Sequence, residues 1–271
     1  NKQKSPSNHF SLTKDITKIN NSDLKHSFSK IIHMAALSDI QKCNASPSMC
    51  FDVNVNGTKR ILEIARKNDV PVIFLSSSHV YGNPKSLPVS ETHQVSPSSI
   101  YSSSKIMAET LCQTYSQMYD LDISVVRLFS VFGPNASSSN LISRTINQIL
   151  SYGSVKLGNI KPKRDWGHAK DYVEAMWLII QQDKPDDYVV GTGTTHTVEE
   201  FLKKAFEVLD LNYKKYLLID KNLFRPSEVN LLQGNANKIK KKLAWRPKTT
   251  FEELVTEMVL FDYNNEKNMI G

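Results

Sequence analysis

Tyr101 and Lys105 stand four residues apart in Tyr101-Ser-Ser-Ser-Lys105, where a helical pattern opens through Ile106-Met-Ala-Glu-Thr-Leu111. On a helix that spacing puts both side chains on one face. An ammonium beside a phenol favours the phenolate. A phenol lowered in this way takes a proton from a sugar or alcohol hydroxyl near neutral pH. Ser77, at the end of a strand pattern, is a second hydroxyl able to share that proton and hold a substrate oxygen. Alone, Tyr-x-x-x-Lys is common by chance and ordinarily marks a surface tyrosine beside a solvated lysine. The elements around it change its meaning.

The apolar run Val70-Pro-Val-Ile-Phe-Leu75 stops at Ser76-Ser-Ser78, as a buried strand does at a polar edge. Leu121–Phe129 reads as another buried strand, and Asn54-Val-Asn-Gly-Thr58 leads into a helical pattern through Arg66. Lys30–Leu37 is expected as a buried strand ending in small residues, Ala35 and Ala36, after a helical pattern over 22–30. His33 is expected as a packed strand residue rather than a ligand. Phe10–Thr17 fits either a short strand ending at Asp15 or a helix N-cap region. Strands alternating with helices imply an α/β fold with a doubly wound parallel sheet.

Composition fits one or two globular domains: 271 residues, 40% hydrophobic and 23% charged. A net charge of +7 suits phosphorylated ligands, anionic lipid or nucleic acid. The basic residues are scattered except for Lys238-Ile-Lys-Lys-Lys242, which is expected to be a solvated helix face, so no nucleic-acid partner is expected. Cys43, Cys50 and Cys112 form no zinc or disulfide pattern, and a reducing cytoplasm is the expected home. No apolar run reaches a bilayer's width, no signal-peptide pattern is visible, and no membrane partner or metal site is expected.

The combination of buried strand, Ser-Ser-Ser-x-Val-Tyr-Gly82, Pro-containing loop and Tyr-x-x-x-Lys resembles the extended short-chain dehydrogenase/reductase family. The resemblance implies a Rossmann-like fold, bound NADP or NAD with a tilt toward NADP, and a catalytic set Ser77, Tyr101 and Lys105. It places Asp15 and Ile16 against the cofactor's adenine, Ala35 and Ala36 against its ribose and nicotinamide side, and Tyr101 and Lys105 beside it. Asn54 to Thr58 would tie a helix to neighbouring backbone. Relatives often form homodimers or homotetramers through two helices, one of them carrying Tyr101 and Lys105.

In the C-terminal half, Asn140-Leu-Ile-Ser-Arg144, Lys163-Arg-Asp-Trp-Gly-His-Ala-Lys-Asp-Tyr172, Arg225-Pro-Ser-Glu228 and Lys240–Pro247 resemble the GDP-mannose 4,6-dehydratase group of that family. The substrate implied is a nucleotide-diphosphate sugar such as GDP-mannose. Arg164 and Arg225 would clamp the pyrophosphate, as guanidinium groups do. Glu228 would accept from ribose hydroxyls, Arg144 would lie near the base, and Asn140 and Ser77 would complete the set. His168 and Asp171 are expected to hold a loop and cap a helix. Residues 1–135 would form a partial dinucleotide-binding domain. Residues 136–271 would mostly bind the nucleotide sugar, with segments returning to the first sheet.

Three departures qualify the resemblance. His79 stands where 4,6-dehydratases carry the Glu that assists elimination; histidine also shuttles protons at neutral pH. Ser130 stands where relatives carry an Asn touching the substrate phosphate. No G-x-G-x-x-G turn occurs, so the chain reads as opening just before the third strand of such a domain, on the order of 50 residues short. Residues 1–271 alone are then expected to bind NAD(P) poorly and to be marginally stable. Three readings stay open: a C4-oxidising dehydratase, a 4-epimerase or 4-keto-sugar reductase without elimination, and an inactive nucleotide-sugar-binding protein.

Overall fold

Val72–Ser77 is buried at every position, which is why an unbroken apolar run rather than an alternating one forms this strand. The computed structural model of the protein describes residues 11–136, 141–224 and 229–270. Its first sheet is wholly parallel: β1 (Ile31–His33), β2 (Val72–Ser77), β3 (Ile123–Leu128) and β7 (Tyr188–Val190), in the order β1-β2-β3-β7. One face is covered by α3 (Gly57–Asn68) and α4 (Ile100–Tyr119) over Val72, Phe74, Ile123 and Val125. The other is covered by α6 (Ala169–Ile180) and α8 (Asn237–Leu243) over Ile73, Leu75 and Val126. Alternation along β2 thus feeds two separate cores.

Two short helices, α1 (Ile40–Ala45) and α2 (Pro47–Phe51), and a π-turn at Asp52–Asn56 lead from β1 into α3. A second sheet is built from β4 (Ser130–Phe132), β6 (Lys163–His168), β8 (Thr195–Thr197) and β10 (Leu231–Leu232), with β8 antiparallel to β6. β5 (Val155–Leu157) and β9 (Leu217–Ile219) form a separate pair. Helices α5 (Leu141–Tyr152), α7 (Val198–Val208) and α9 (Phe251–Ile270) enclose the core of this half around Trp166, Phe201 and Phe206. Thr197 and Glu200 form a capping box at the start of α7, and the His168 side chain caps α6 by accepting from the Lys170 N–H. Asp171 accepts from the Lys248 and Thr249 N–H groups, holding the segment before α9.

The edge of the first sheet differs from the sequence expectation. Residues 11–15 form no strand; Asp15 closes a local turn by accepting from the Thr17 N–H and hydroxyl. Ile16 instead packs on Gly57, where an added Cβ would meet its Cγ2 at 3.1 Å. The expected helix over 22–30 shrinks to a single 3₁₀ turn, Asn21–Asp23. The expected buried strand Lys30–Leu37 is only Ile31–His33, with Ile32 and Met34 exposed. Among the described residues β1 pairs on one side only, and its face toward α6 is open. The lysine run leaves Lys241 and Lys242 exposed, as expected of a solvated face, while Lys238 and Lys242 also pair with Asp186. No helix among the described residues is long and apolar enough to cross a membrane.

Candidate active site

Parallel strands deliver side chains to the edge at their C-terminal ends, where α/β sheets bind ligands. Ser77 ends β2, and a 3₁₀ turn, Ser78–Tyr81, carries His79 straight after it. The turn closes on Gly82, whose φ of +56° and 2.0 Å clearance between an added Cβ and the Ser96 carbonyl admit only glycine. Ser99 caps α4 with Ser102, so the helix starts just ahead of Tyr101 and sets Tyr101 and Lys105 on its sheet-facing side.

These groups meet in one cleft of about 300 Å³, lined by Ser77, His79, Tyr101, Lys105, Ser130 and Ala36 among others. The Ser77 Oγ accepts from the His79 N–H at 3.2 Å and is hydrogen-bonded to the Tyr101 phenol. The rings of His79 and Tyr101 meet edge to face, with centroids 6.1 Å apart. Asn54, buried in the π-turn, accepts from the Leu37 N–H, donates to the Leu37 carbonyl and donates to the Ser104 hydroxyl. It thereby ties the loop after β1 to the helix of Tyr101.

The electrostatics correct one expectation. Burial holds the Tyr101 phenol above its ordinary pKa, and the hydrogen bond to Ser77 opposes this. The Lys105 ammonium is engaged by other groups: it donates to the Leu75 carbonyl at 2.7 Å and lies 4.7 Å from the Phe74 ring centroid. Burial pushes Lys105 down to about 8. A shared helix face therefore brings tyrosine and lysine into one cleft without making lysine the phenol's partner. Burial, then the charge of Lys105, pushes His33 down to about 4, and its Nε2 lies 2.9 Å from the Thr58 hydroxyl. Thr58 spends its own proton on the Asn54 carbonyl, so His33 is the donor of that pair.

A second cleft, of about 210 Å³, joins Arg144 and Arg164 with Phe132, Trp166 and Leu223. Phe132 and Trp166 stack at 5.2 Å with 24° between their planes. The two clefts share a strand: β4 gives Ser130 to the first and Phe132 to the second. Two residues of strand span roughly 7 Å. Asp15, Ile16 and Ala35 line neither cleft; Asp15 and Ile16 are engaged with Thr17 and Gly57. Asn140, Arg225 and Glu228 lie outside the described residues. Sequence reasoning missed Met34 and Ser38 in the first cleft and Phe132, Trp166 and Leu223 in the second. Ser38 lies just past the end of β1, where the position of strand ends was the available signal.

Residues 3–258 match the family described as GDP-mannose 4,6 dehydratase. The chain is 40% identical over 244 residues to GDP-mannose 4,6 dehydratase 2 of Arabidopsis thaliana, covering 85% of this chain and 64% of that protein. It is thus just under two thirds of that relative's length. It is 34% identical over 287 residues to GDP-mannose 4,6 dehydratase of Dictyostelium discoideum, covering 96% of this chain and 80% of that protein. The solved structure of RMD from Pseudomonas aeruginosa complexed with NADPH superposes with a TM-score of 0.86 at 20% identity, covering 97% of this chain and 90% of that one. That likeness shows a common Rossmann-like fold. On the match over most of its length, the chain belongs to the GDP-mannose 4,6-dehydratase family, within the extended short-chain dehydrogenases/reductases.

Proposed function

We propose that the protein removes water from a nucleotide-diphosphate hexose, with GDP-mannose as the expected substrate and NADP or NAD as cofactor. The carrying observation is the short strand that gives Ser130 to the Ser77/His79/Tyr101/Lys105 cleft and Phe132 to the Arg144/Arg164 cleft. A ligand with a sugar at one end and an anionic nucleotide at the other needs two such sites side by side. Arg144 and Arg164 supply positive charge for phosphate, and the Phe132–Trp166 stack supplies an apolar wall beside it.

The residues present fit the nicotinamide end of a dinucleotide. Ala36 leaves room for a flat ring, and Lys105 brings a buried ammonium for ribose hydroxyls. Bound NAD(P) would take a hydride from C4 of the sugar and later return one to C6. Tyr101 takes the C4 hydroxyl proton while Ser77 holds that oxygen. The ketone at C4 acidifies the C5 hydrogen. His79, next to Ser77 and edge-on to Tyr101, takes the C5 proton and gives a proton to the hydroxyl leaving C6. With a hydride returned to C6, C5 would regain a proton equivalent to the one Tyr101 accepted from the C4 hydroxyl, and the sum is loss of one water.

His79 in place of Glu supports a second reading, C4 epimerisation or 4-keto reduction without elimination. Incubation with GDP-mannose and NADP, followed by mass spectrometry, separates the two. Dehydration gives a product lighter by one water. An isomer of unchanged mass favours epimerisation, a gain of two hydrogens by a 4-keto GDP-sugar supplied with NADPH favours reduction, and conversion in neither assay overturns both readings.

A further inference from the structure

Outside the two clefts lies a pair that the chemistry above does not use. Arg127, on β3, donates Nε to Glu109 Oε1 at 3.1 Å and its second terminal nitrogen to Oε2 at 2.7 Å. Its other terminal nitrogen donates to the Tyr81 hydroxyl at 3.1 Å and the Glu91 carbonyl at 2.9 Å. Both side chains of the pair are largely buried, at 14% and 12% exposure. Glu109 stands four residues beyond Lys105 and eight beyond Tyr101, on the same helix face. Arg127 pairs in register with Ser76, the residue before Ser77. Tyr81 closes the turn that carries His79, and the Glu91 carboxylate accepts from the Val189 N–H on β7. One guanidinium therefore joins α4, β3, the His79 turn and the loop between that turn and α4, which Glu91 in turn ties to β7.

We propose that Glu109 and Arg127 are positioning residues that hold Tyr101 and Lys105 in register with Ser77 and His79. This rests on the reading of those four as the reacting set. Electrostatics adds a second role for Glu109. The groups facing Lys105 are Glu109 and Cys112 on its own helix, His33 on β1, Cys50 on α2 and the Phe74 ring on β2. His33 is neutral near pH 7, whereas Glu109 is a carboxylate whose charge opposes the deprotonating effect of burial on Lys105.

Two variants test this, Glu109→Gln and the double variant Glu109→Leu with Arg127→Met; a well-packed apolar replacement of a buried pair commonly keeps the fold. Reactivity of Lys105 toward acetic anhydride, read by mass spectrometry across pH, needs no substrate. In Glu109→Gln we expect labelling at pH 8 to rise about threefold, the alkaline limb of turnover to move to lower pH, and kcat to fall about tenfold with KM within about twofold. In the double variant we expect cooperative melting with turnover still about tenfold down. Unchanged labelling in Glu109→Gln, or wild-type turnover in either folded variant, overturns the proposal. If the wild-type protein turns over no nucleotide sugar, the functional reading fails, while the labelling shift still judges the role of Glu109.

Discussion

The two clefts are built in opposite ways. In the first, Ser77, Tyr101 and Lys105 are deeply buried, with Lys105 held by the Leu75 carbonyl and Ser77 by the His79 N–H, and His79 is half-buried. They come from two short stretches, 77–79 and 101–105. The second collects residues from five separated stretches between Phe132 and Leu223 on a mixed sheet and its loops, and its arginines are only half-buried. Burial fixes geometry and shifts protonation, which suits bond-making. Partial exposure leaves charge solvated until a ligand displaces the water, which suits recognition. Substitutions in the first cleft should therefore damage rate, and substitutions in the second should damage affinity.

Tyr101→Phe removes the only phenol among the described residues of the first cleft and should lower turnover by about 10²–10⁴-fold with ground-state binding nearly unchanged, as steady-state kinetics would show. Near-normal turnover in a folded variant would remove Tyr101 from the reaction. Burial in the same region should also appear as a pH effect on stability. His33 is held at about 4 against an ordinary 6.5, so folding excludes its proton. The stability this represents is present in full above pH 6.5 and is lost as pH falls from there to about 4, at most about 3 kcal/mol. Melting of His33→Gln should lose less stability than wild type across that window. In the second cleft, Arg164→Ala should weaken GDP binding by about 1–3 kcal/mol in calorimetry while leaving turnover at saturation within a few-fold. Far from both, the exposed pair Lys161–Glu199 at 2.9 Å should contribute little, so Lys161→Ala should shift stability by less than about 0.5 kcal/mol.

The contrast also explains what was legible in the sequence. The strand ending at Ser77 and the helix opening before Tyr101 are local patterns, and both formed as read. The true partner of Lys105 was hidden because a backbone carbonyl leaves no signature in side-chain spacing. The bidentate partner of Arg127 was hidden because nothing local pairs residues 109 and 127. Phe132, Trp166 and Leu223 converge only through the topology of the second sheet. The 11–37 segment was misread because burial of an edge strand depends on neighbours that its own residues do not specify, as the exposure of Ile32 and Met34 shows. The carboxylate shared by Lys238 and Lys242 of the lysine run was hidden for a related reason: Asp186 lies some fifty residues upstream.

The most direct test is to run the reaction on GDP-mannose with NADP in D₂O and weigh the product. Proton removal from C5 through His79, followed by reprotonation from solvent, predicts a product lighter by one water and carrying one solvent deuterium at C5. A product of unchanged mass, or a dehydrated product without deuterium, would contradict elimination through a solvent-exchanging base at His79.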